Sequence, residues 1–362
     1  RSLTKKKGFS VVNIVGLAIG MAAALLILTY VAFEYSYDDM HSRQDRIFRV
    51  EARFYENGEL TDDWASSSAG YATAMKQNMS AVEAYTRVGS QYYPEQVVKY
   101  NELLYRETGI GYAEANFFDF FDFKLLKGNK ESCLDGPNKV VITERIARKY
   151  FKGADPIGKI LIFRSNIGEE ACEVTGIMED MPINTHIRYN LLISYKTLPK
   201  WMDEYWYRHE VYSYVLLKSA NLKTQVEEDF PVMAEKYKTE EALKNKTWAI
   251  QLTNLRDIHL NPQKAYEPEV KGNRSSIWVL ICTALAILCI AWINYINMTV
   301  ARSMERAKEI GIRRASGASR RQVISQFLFE SLVTNSIAFI LAIGLMEALM
   351  PSFNNLTGRD LS

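Results

Sequence analysis

At 362 residues the chain has room for two domains, and its mean hydropathy of −0.16 is that of an ordinary soluble protein. A formal net charge of +2 selects no class of partner, so bulk electrostatics excludes nothing and recommends nothing. Both averages conceal segments of very different character.

Residues 1–8 are short and basic, with Lys5, Lys6 and Lys7 in a row. No charged residue then occurs between Lys7 and Glu34, more than the roughly 20 apolar residues that cross a bilayer, and 9–33 is predicted to be a transmembrane helix. A cleaved signal peptide has the same basic start, but this run is longer than an h-region and no small-x-small site follows before Glu34, so an uncleaved anchor is expected. Gly16, Gly20 and Ala24 recur at every fourth residue and predict a smooth face for helix packing.

The long segment 34–274 is polar and patterned like a mixed α+β domain. Arg46 to Tyr55 alternates as a half-buried strand, Gly70 to Asn78 reads as a helix and Ala84 to Val88 as a second strand. The same order returns with a strand at Val211 to Leu217, a helix at Leu222 to Tyr237 and a strand at Thr247 to Leu252. Two β-α-β units separated by an insertion predict a split, ferredoxin-like layer at about 46–90 and 187–260. The insertion, about 91–186, is mainly β, with strands at Lys139 to Thr143, Lys159 to Phe163 and Glu173 to Met178 and a helix at Glu144 to Phe151.

Two aromatic tracts in this segment have two readings each. Phe117, Phe118, Phe120, Phe121 and Phe123 read as core or as a groove for apolar cargo, and Trp201, Tyr205, Trp206, Tyr207 and Tyr212 as buried packing or as a partner surface. Cys133 and Cys172 lie where a disulfide is chemically permitted, but two isolated cysteines define no bridge. Cys282 and Cys289 are expected to pack within the second span.

That second span is predicted at 275–300, since no charge lies between Arg274 and Arg302. The loop 301–322 carries Arg302, Arg306, Lys308, Arg313, Arg314, Arg320 and Arg321 against Glu305 and Glu309. Short basic loops stay in the cytoplasm, and with Lys5 to Lys7 this places the amino terminus inside and 34–274 outside. Within the loop, Ser303 to Ala315 reads as a helix, Gly317 as its stop, and Ser319 with Gln322 as a capping box that opens the next helix. A third span is predicted at 323–350, with Glu330 and Glu347 towards its two ends and Pro351 closing it; 351–362 then begins an external loop.

The chain lacks a Gly-rich phosphate cradle, G-x-S-x-G and H-E-x-x-H, and His41, His186, His209 and His259 stand apart from metal-binding spacing. No catalytic residue, metal site or cofactor is expected, and the four histidines read as structural. The basic loop suits anionic lipid; nucleic acid is excluded by its shortness, its tethering at both ends and its lack of interleaved aromatics.

Asn294 to Leu332, with the core Glu309 to Gln322 (EIGIRRASGASRRQ), resembles the FtsX-like permease region of MacB-type ABC transporters. Lys7 to Leu28, Lys139 to Lys159 and Glu173 to Ser194 resemble the first span and periplasmic core domain of the same family. The resemblance implies an inner-membrane permease subunit with no catalysis of its own, working with a separate cytoplasmic ABC ATPase. It further implies a second permease half or a homodimer partner, and a periplasmic adaptor or outer-membrane component as a further partner. The two external lobes correspond to the family's Porter (46–90 and 187–260) and Sabre (91–186) subdomains, and Ser303 to Ala315 to its coupling helix. On that helix Ala307, Ile310 and Gly311 form the expected packing face, with Glu305, Lys308, Glu309, Arg313 and Arg314 around it and Gly317 as the bend. Family permeases have at least four spans, so a fourth is expected beyond Ser362. Drug, peptide, lipoprotein and toxin export all fit the same lever. A membrane-anchored sensor, or a scaffold that activates an envelope hydrolase, is the rival reading, and the immediate return of the chain into a third apolar segment favours the permease over the sensor.

Overall fold

The computed structural model describes residues 7–90, 95–165, 168–204, 206–209, 211–238, 244–268, 271–301, 307, 311–312, 315–317 and 319–361. They form two compact units: Arg1–Tyr35 with Asn273–Ser362, and Ser36–Gly272 between them in sequence.

In chain order the elements are α1 (Lys7–Tyr35), β1 (Ile47–Glu56), β2 (Glu59–Trp64), α2 (Gly70–Asn78), β3 (Val82–Ser90), β4 (Glu95–Tyr100), β5 (Leu103–Thr108), β6 (Ile110–Ala113), α3 (Phe117–Phe120) and β7 (Leu125–Lys127). They continue with β8 (Lys139–Thr143), α4 (Glu144–Phe151), β9 (Ile160–Ser165), β10 (Gly168–Met178), β11 (Leu191–Ser194), β12 (Val211–Leu217), α5 (Lys223–Ala234), β13 (Lys246–Asn254), α6 (Arg274–Ala301) and α7 (Arg320–Thr357).

The unit Ser36–Gly272 is a mixed α/β body on one path of paired strands, β13-β1-β12-β3-β6-β11-β8-β10-β9-β4-β5, with β2 added to β1 and β7 to β10. β1 runs antiparallel to β12 and β13, and β12 antiparallel to β3. Pairing does not stop at residue 90. β3 is antiparallel to β6 through Val88 and Ala113, so the inserted strands are hydrogen-bonded to the outer ones. The alternation of β1 sends Val50, Ala52 and Phe54 into a core with Tyr71 and Met75 of α2, Phe230 of α5 and Trp248 of β13. A middle core gathers Val140, Ile142, Phe163 and Val174 beneath Ile146, Tyr150 and Phe151 of α4. That helix starts where expected because Thr143 caps it, its hydroxyl accepting from the Ile146 amide.

A third core resolves the first aromatic tract. Phe117, Phe118, Phe120, Phe121 and Phe123 are all buried, packed with Tyr214, Leu216 and Ile258, and line no groove. In the second tract Trp206 is buried and stacked on Tyr237 at 4.2 Å, and Tyr212 is buried with its hydroxyl donating to the Tyr266 carbonyl at 2.7 Å. Trp201 is exposed beneath the Arg208 guanidinium, and Tyr205 lies outside the described residues. Cys133 and Cys172 are free thiols buried in two different cores, and burial pushes both upward, to about 11 and about 12.

Among the described residues the other unit holds three helices long and apolar enough to cross a membrane, α1 from Val11 onward, α6 and α7. α6 buries Ile277, Ala284 and Ala291, a seven-residue spacing that leaves Cys282 and Cys289 exposed instead of packed. α7 does not end at Pro351; it continues to Thr357 and is closed by Gly358 in the left-handed region. Proline removes one donor, but the turn beyond it is held from outside the helix. Phe353 meets Tyr30 of α1 edge-on at 6.5 Å, and Arg359 lies 3.7 Å from Glu34.

The ends of the Ser36–Gly272 unit carry buried polar contacts, so truncation there removes more than a tail. A fragment of residues 36–272 is expected to melt cooperatively without lipid, whereas 45–268 loses Asp38, His41 and Lys271. Its Tm, read by circular dichroism, should fall by at least about 5 °C, since each 1 kcal/mol moves a domain of this size by about 2–4 °C.

Candidate coupling site

Three places hold the residues that the sequence singles out or the fold buries: the loop between α6 and α7, the contacts of α1, and the two ends of the Ser36–Gly272 unit. In the loop, Ala307 and Gly311 are helical and exposed. A Cβ added at Gly311 meets nothing within 4 Å. The helix stops as its sequence dictates: the Ser316 amide still reaches the Ile312 carbonyl at 3.0 Å, and Gly317 turns to φ 93°. α7 opens on a complete capping box, the Gln322 amide donating to Ser319 Oγ and the Ser319 amide donating to Gln322 Oε1 at 2.9 Å. Glu305, Lys308, Glu309, Ile310, Arg313 and Arg314 lie outside the described residues.

α1 packs on both other long helices. A Cβ at Gly20 would stand 2.7 Å from the Ala291 Cβ of α6, and one at Gly16 would stand 3.6 Å from Asn294 Nδ2. Ala24, on the same face, is buried. Ala18 and Ala22 pack against Ala342 of α7. Small residues therefore face both neighbours, which lets the backbones close in.

The ends of the Ser36–Gly272 unit are bound more firmly than periodicity suggested. Just beyond α1, the Asp38 amide donates to the Asn184 carbonyl at 2.9 Å, while the Asn184 side chain donates to the carbonyl and hydroxyl oxygens of Ser36. Asp38 Oδ2 lies 2.6 Å from His186 Nδ1, and His186 Nε2 lies 2.9 Å from the Tyr214 hydroxyl. With Nδ1–H donating to the carboxylate, Nε2 accepts from the tyrosine, and the chain of bonds is complete. Burial would raise the Asp38 carboxyl, but His186 overrides it and holds the group below its usual range; burial pushes Tyr214 well up. An acid-histidine-hydroxyl row of this kind has catalytic composition, yet all three members are buried, so it ties and does not react with solvent-borne substrate.

His41 is fully buried, its Nδ1 accepting from the Asp122 amide at 3.2 Å and its ring edge-on to Phe123. Arg43 donates to the Phe120 carbonyl, so the chain after α1 is strapped over the phenylalanine core. The chain before α6 returns to the same place: Tyr37 stacks on His259 at 3.4 Å, and Arg256 pairs with Asp39 and Asp45. His209, the fourth histidine, stacks on Tyr266 at 3.6 Å.

The polar face of β1 is the feature that sequence alone missed. Arg49 has no exposed side-chain surface; it donates to Glu51 at 2.6 Å and to Glu267 at 2.6 Å. Lys271 pairs with Glu267 at 2.6 Å, and Lys264 pairs with Glu51 at 2.9 Å and Asp63 at 2.7 Å. Burial would raise Glu51, but Arg49 and Lys264 hold its carboxyl low; burial lowers Lys271. Alternation marked Arg49 and Glu51 as one face of a strand, and nothing in their spacing announced that Lys264, Glu267 and Lys271 would meet it.

The model of the MacB-like periplasmic core domain matches residues 10–231, well over half of the chain, and that of the FtsX-like permease C-terminal region matches residues 281–361. The chain belongs to the MacB/FtsX-type permeases. Among curated members it is 27% identical over 262 residues to the macrolide export ATP-binding/permease protein MacB of Neisseria meningitidis, covering 70% of this chain and 38% of the relative. With MacB of Campylobacter fetus it shares 24% over 235 residues, covering 64% of this chain and 34% of the relative. This permease chain thus spans under two-fifths of the length of those relatives. A solved domain described as a permease protein from Porphyromonas gingivalis has the same fold at TM-score 0.53 and 23% identity, covering 64% of this chain and 96% of that domain.

Two outcomes check these contacts. Gly20→Val forces the Ala291 contact apart and should lower the melting point of the detergent-solubilised chain, by the roughly 1–3 kcal/mol of an overpacked site. His41 separates pH effects by window. Burial lowers it from 6.5 to about 4, so between those values the unfolded chain binds a proton that the folded chain refuses. Stability should fall as pH drops through that window, by roughly 3 kcal/mol at 1.36 kcal/mol per unit. In His41→Gln that loss should vanish from pH-dependent melts, while the loss owed to the depressed carboxyls of Asp38 and Glu51 persists at lower pH.

Proposed function

We propose that this chain is the force-transmitting permease part of an ABC transporter of the inner membrane. The observation that carries the reading is the presence on one chain of an FtsX-like permease region and a MacB-like periplasmic core domain. The basic residues at Lys5 to Lys7 and Arg302 to Arg321 support an inside amino terminus, an inside loop between α6 and α7, and a periplasmic Ser36–Gly272 unit crossed into and out of by α1 and α6. The strand order β13-β1-β12-β3 is that of a ferredoxin-like layer, which supports a Porter-like lobe at 46–90 and 187–260. Residues 91–186 then form the Sabre-like insert.

In this reading ATP binding closes two nucleotide-binding domains, and their closure moves the helix at about Ser303 to Ala315. Ala307, Ile310 and Gly311 give that helix a close-packed docking face. Glu305, Lys308, Glu309, Arg313 and Arg314 supply the charged surround, and Gly317 the bend that converts its displacement into a tilt of α7. Gly16, Gly20 and Ala24 let α1 and α6 move as a closely packed pair. The names of the relatives combine ATP-binding with permease, which supports an ATPase as the driving partner. A second permease copy, an envelope adaptor and anionic lipid complete the partners. Export or extraction of cargo is the output, and because the named relatives export macrolides, an apolar small molecule is the first cargo to assay.

Gly311→Leu tests the reading, since a Cβ added there meets nothing within 4 Å among the described residues. With the cognate ATPase it should keep membrane insertion yet lose stimulated ATP turnover, because a forced knob costs about 1–3 kcal/mol and weakens docking roughly 5–150-fold. In intact cells a cysteine at Ser316 should resist a membrane-impermeant thiol reagent. Wild-type turnover in the leucine variant, or ready labelling at position 316, would remove the docking helix from the inside face.

A further inference from the structure

Burying Arg49 and Glu267 needs a reason beyond stability. Well-packed apolar side chains stabilise a core as well as a buried ion pair does, so retained buried charges point to a task of specifying one geometry. Here the geometry is one of attachment. Glu267 belongs to the segment leading into α6, and it accepts from two nitrogens of Arg49, Nη1 at 2.6 Å and Nη2 at 3.2 Å. Arg49 sits on β1, which has β12 on one side and β13 on the other, so the bond ends inside the sheet and not at its edge. Lys271 holds the same carboxylate from further along the segment. Only Gly272 separates Lys271 from Asn273, whose side chain caps α6 by accepting from the amides of Ser275 at 2.8 Å and Ser276 at 3.3 Å. The path from the start of α6 to the middle strands is therefore one residue of slack followed by charge-assisted hydrogen bonds, the strongest that side chains make.

We infer that Glu267 is a positioning residue of the transmission path: it clasps the segment ahead of α6 to Arg49, so that a shift of α6 is delivered to β1. The inference rests on the force-transmitting reading above. An apolar contact in the same place would slide, because dispersion has no preferred direction; a two-toothed guanidinium fork resists both pull and shear. Glu51 and Lys264 complete the device by holding Arg49 and the preceding turn in place, so that strain placed on Glu267 is not spent on reorienting its partner.

The test uses the full chain, reconstituted in nanodiscs with its ATP-hydrolysing partner and carrying a spin label at Asn101→Cys, at the tip between β4 and β5. The readout is the ATP-dependent change in label separation between two copies, with ATP turnover measured in parallel. Glu267→Gln should leave turnover unchanged and shrink the change in separation by about fivefold or more, the low end of an ordinary coupling effect. Glu267→Asp, which keeps the charge, should recover most of it. A second variant inserts Gly-Ser-Gly-Ser between Gly272 and Asn273, leaving clasp and helix cap intact but slackening the link; it should lose the change as Glu267→Gln does. Should Glu267→Gln fail to insert, the insertion variant decides alone. A full change in separation in the insertion variant, or in a folded Glu267→Gln, overturns the clasp and leaves Glu267 a structural residue. No change in the wild-type chain despite ATP turnover overturns the force-transmitting reading, and the clasp with it.

Discussion

Arg49 carries a permanent charge into a place without water, and much of the Ser36–Gly272 unit is arranged to answer it. Removing one partner of such a pair strands the other, at about 3–5 kcal/mol, which is a large share of what any domain has to spare. The consequence is directional. Arg49 and Glu51 keep their partners only while Lys264, Glu267 and Lys271 stay against β1, and those residues precede α6 in the chain. The segment after α1 is bound by the same logic through Asp38, His186 and Tyr214, with Tyr37 stacked on His259 to join the two segments to each other. Both chain connections of the unit are thus fixed by polar contacts of defined geometry laid against its apolar cores.

The helical unit solves the opposite problem. Apolar side chains gain little by meeting each other inside a lipid phase, so α1 relies on closeness. Gly20 against Ala291, and Ala18 and Ala22 against Ala342, bring backbones together on two sides of one helix. Close contact of small residues is compatible with sliding, since nothing interlocks. The two units thus rely on different contacts: charge-assisted hydrogen bonds at the chain connections of Ser36–Gly272, and close approach of small side chains among α1, α6 and α7.

Much of this was legible in the residues. Strands 139–143 and 211–217 and helices 70–78 and 144–151 lie where the sequence put them: the strands are short apolar runs rich in β-branched residues, and Thr143 caps the helix 144–151. The capping box at Ser319 and the stop at Gly317 were equally local and equally visible. What escaped was set at a distance. β2 follows an Asn57–Gly58 turn with both residues at positive φ, but its Glu59, Asp62 and Asp63 look like loop until β1 supplies a partner. Pro351 looked final because the contacts that hold the turn after it come from Tyr30, Phe33 and Glu34, far away in sequence. Likewise a period of two says that Arg49 and Glu51 share a face, and says nothing about what covers that face.

The same distinction explains why the loop could be assigned more readily than the base. A helix proposed to dock must present particular side chains at particular spacings to a foreign surface, and the resemblance that suggested one was written in consecutive letters, Glu309 to Gln322. A transmission path has no foreign surface to match. Its requirement is only that two segments remote in sequence carry complementary charge where the fold brings them together, and Arg49 with Glu267 meets that requirement with two ordinary residues in two unremarked stretches. Residues of this kind become visible through burial: a charge with no exposed surface and a fork of partners from another segment stands out once the fold is known. If the proposed force-transmitting function holds, the buried ion pairs nearest the helix junctions are where its residues should be sought, ahead of pockets and ahead of surface charge.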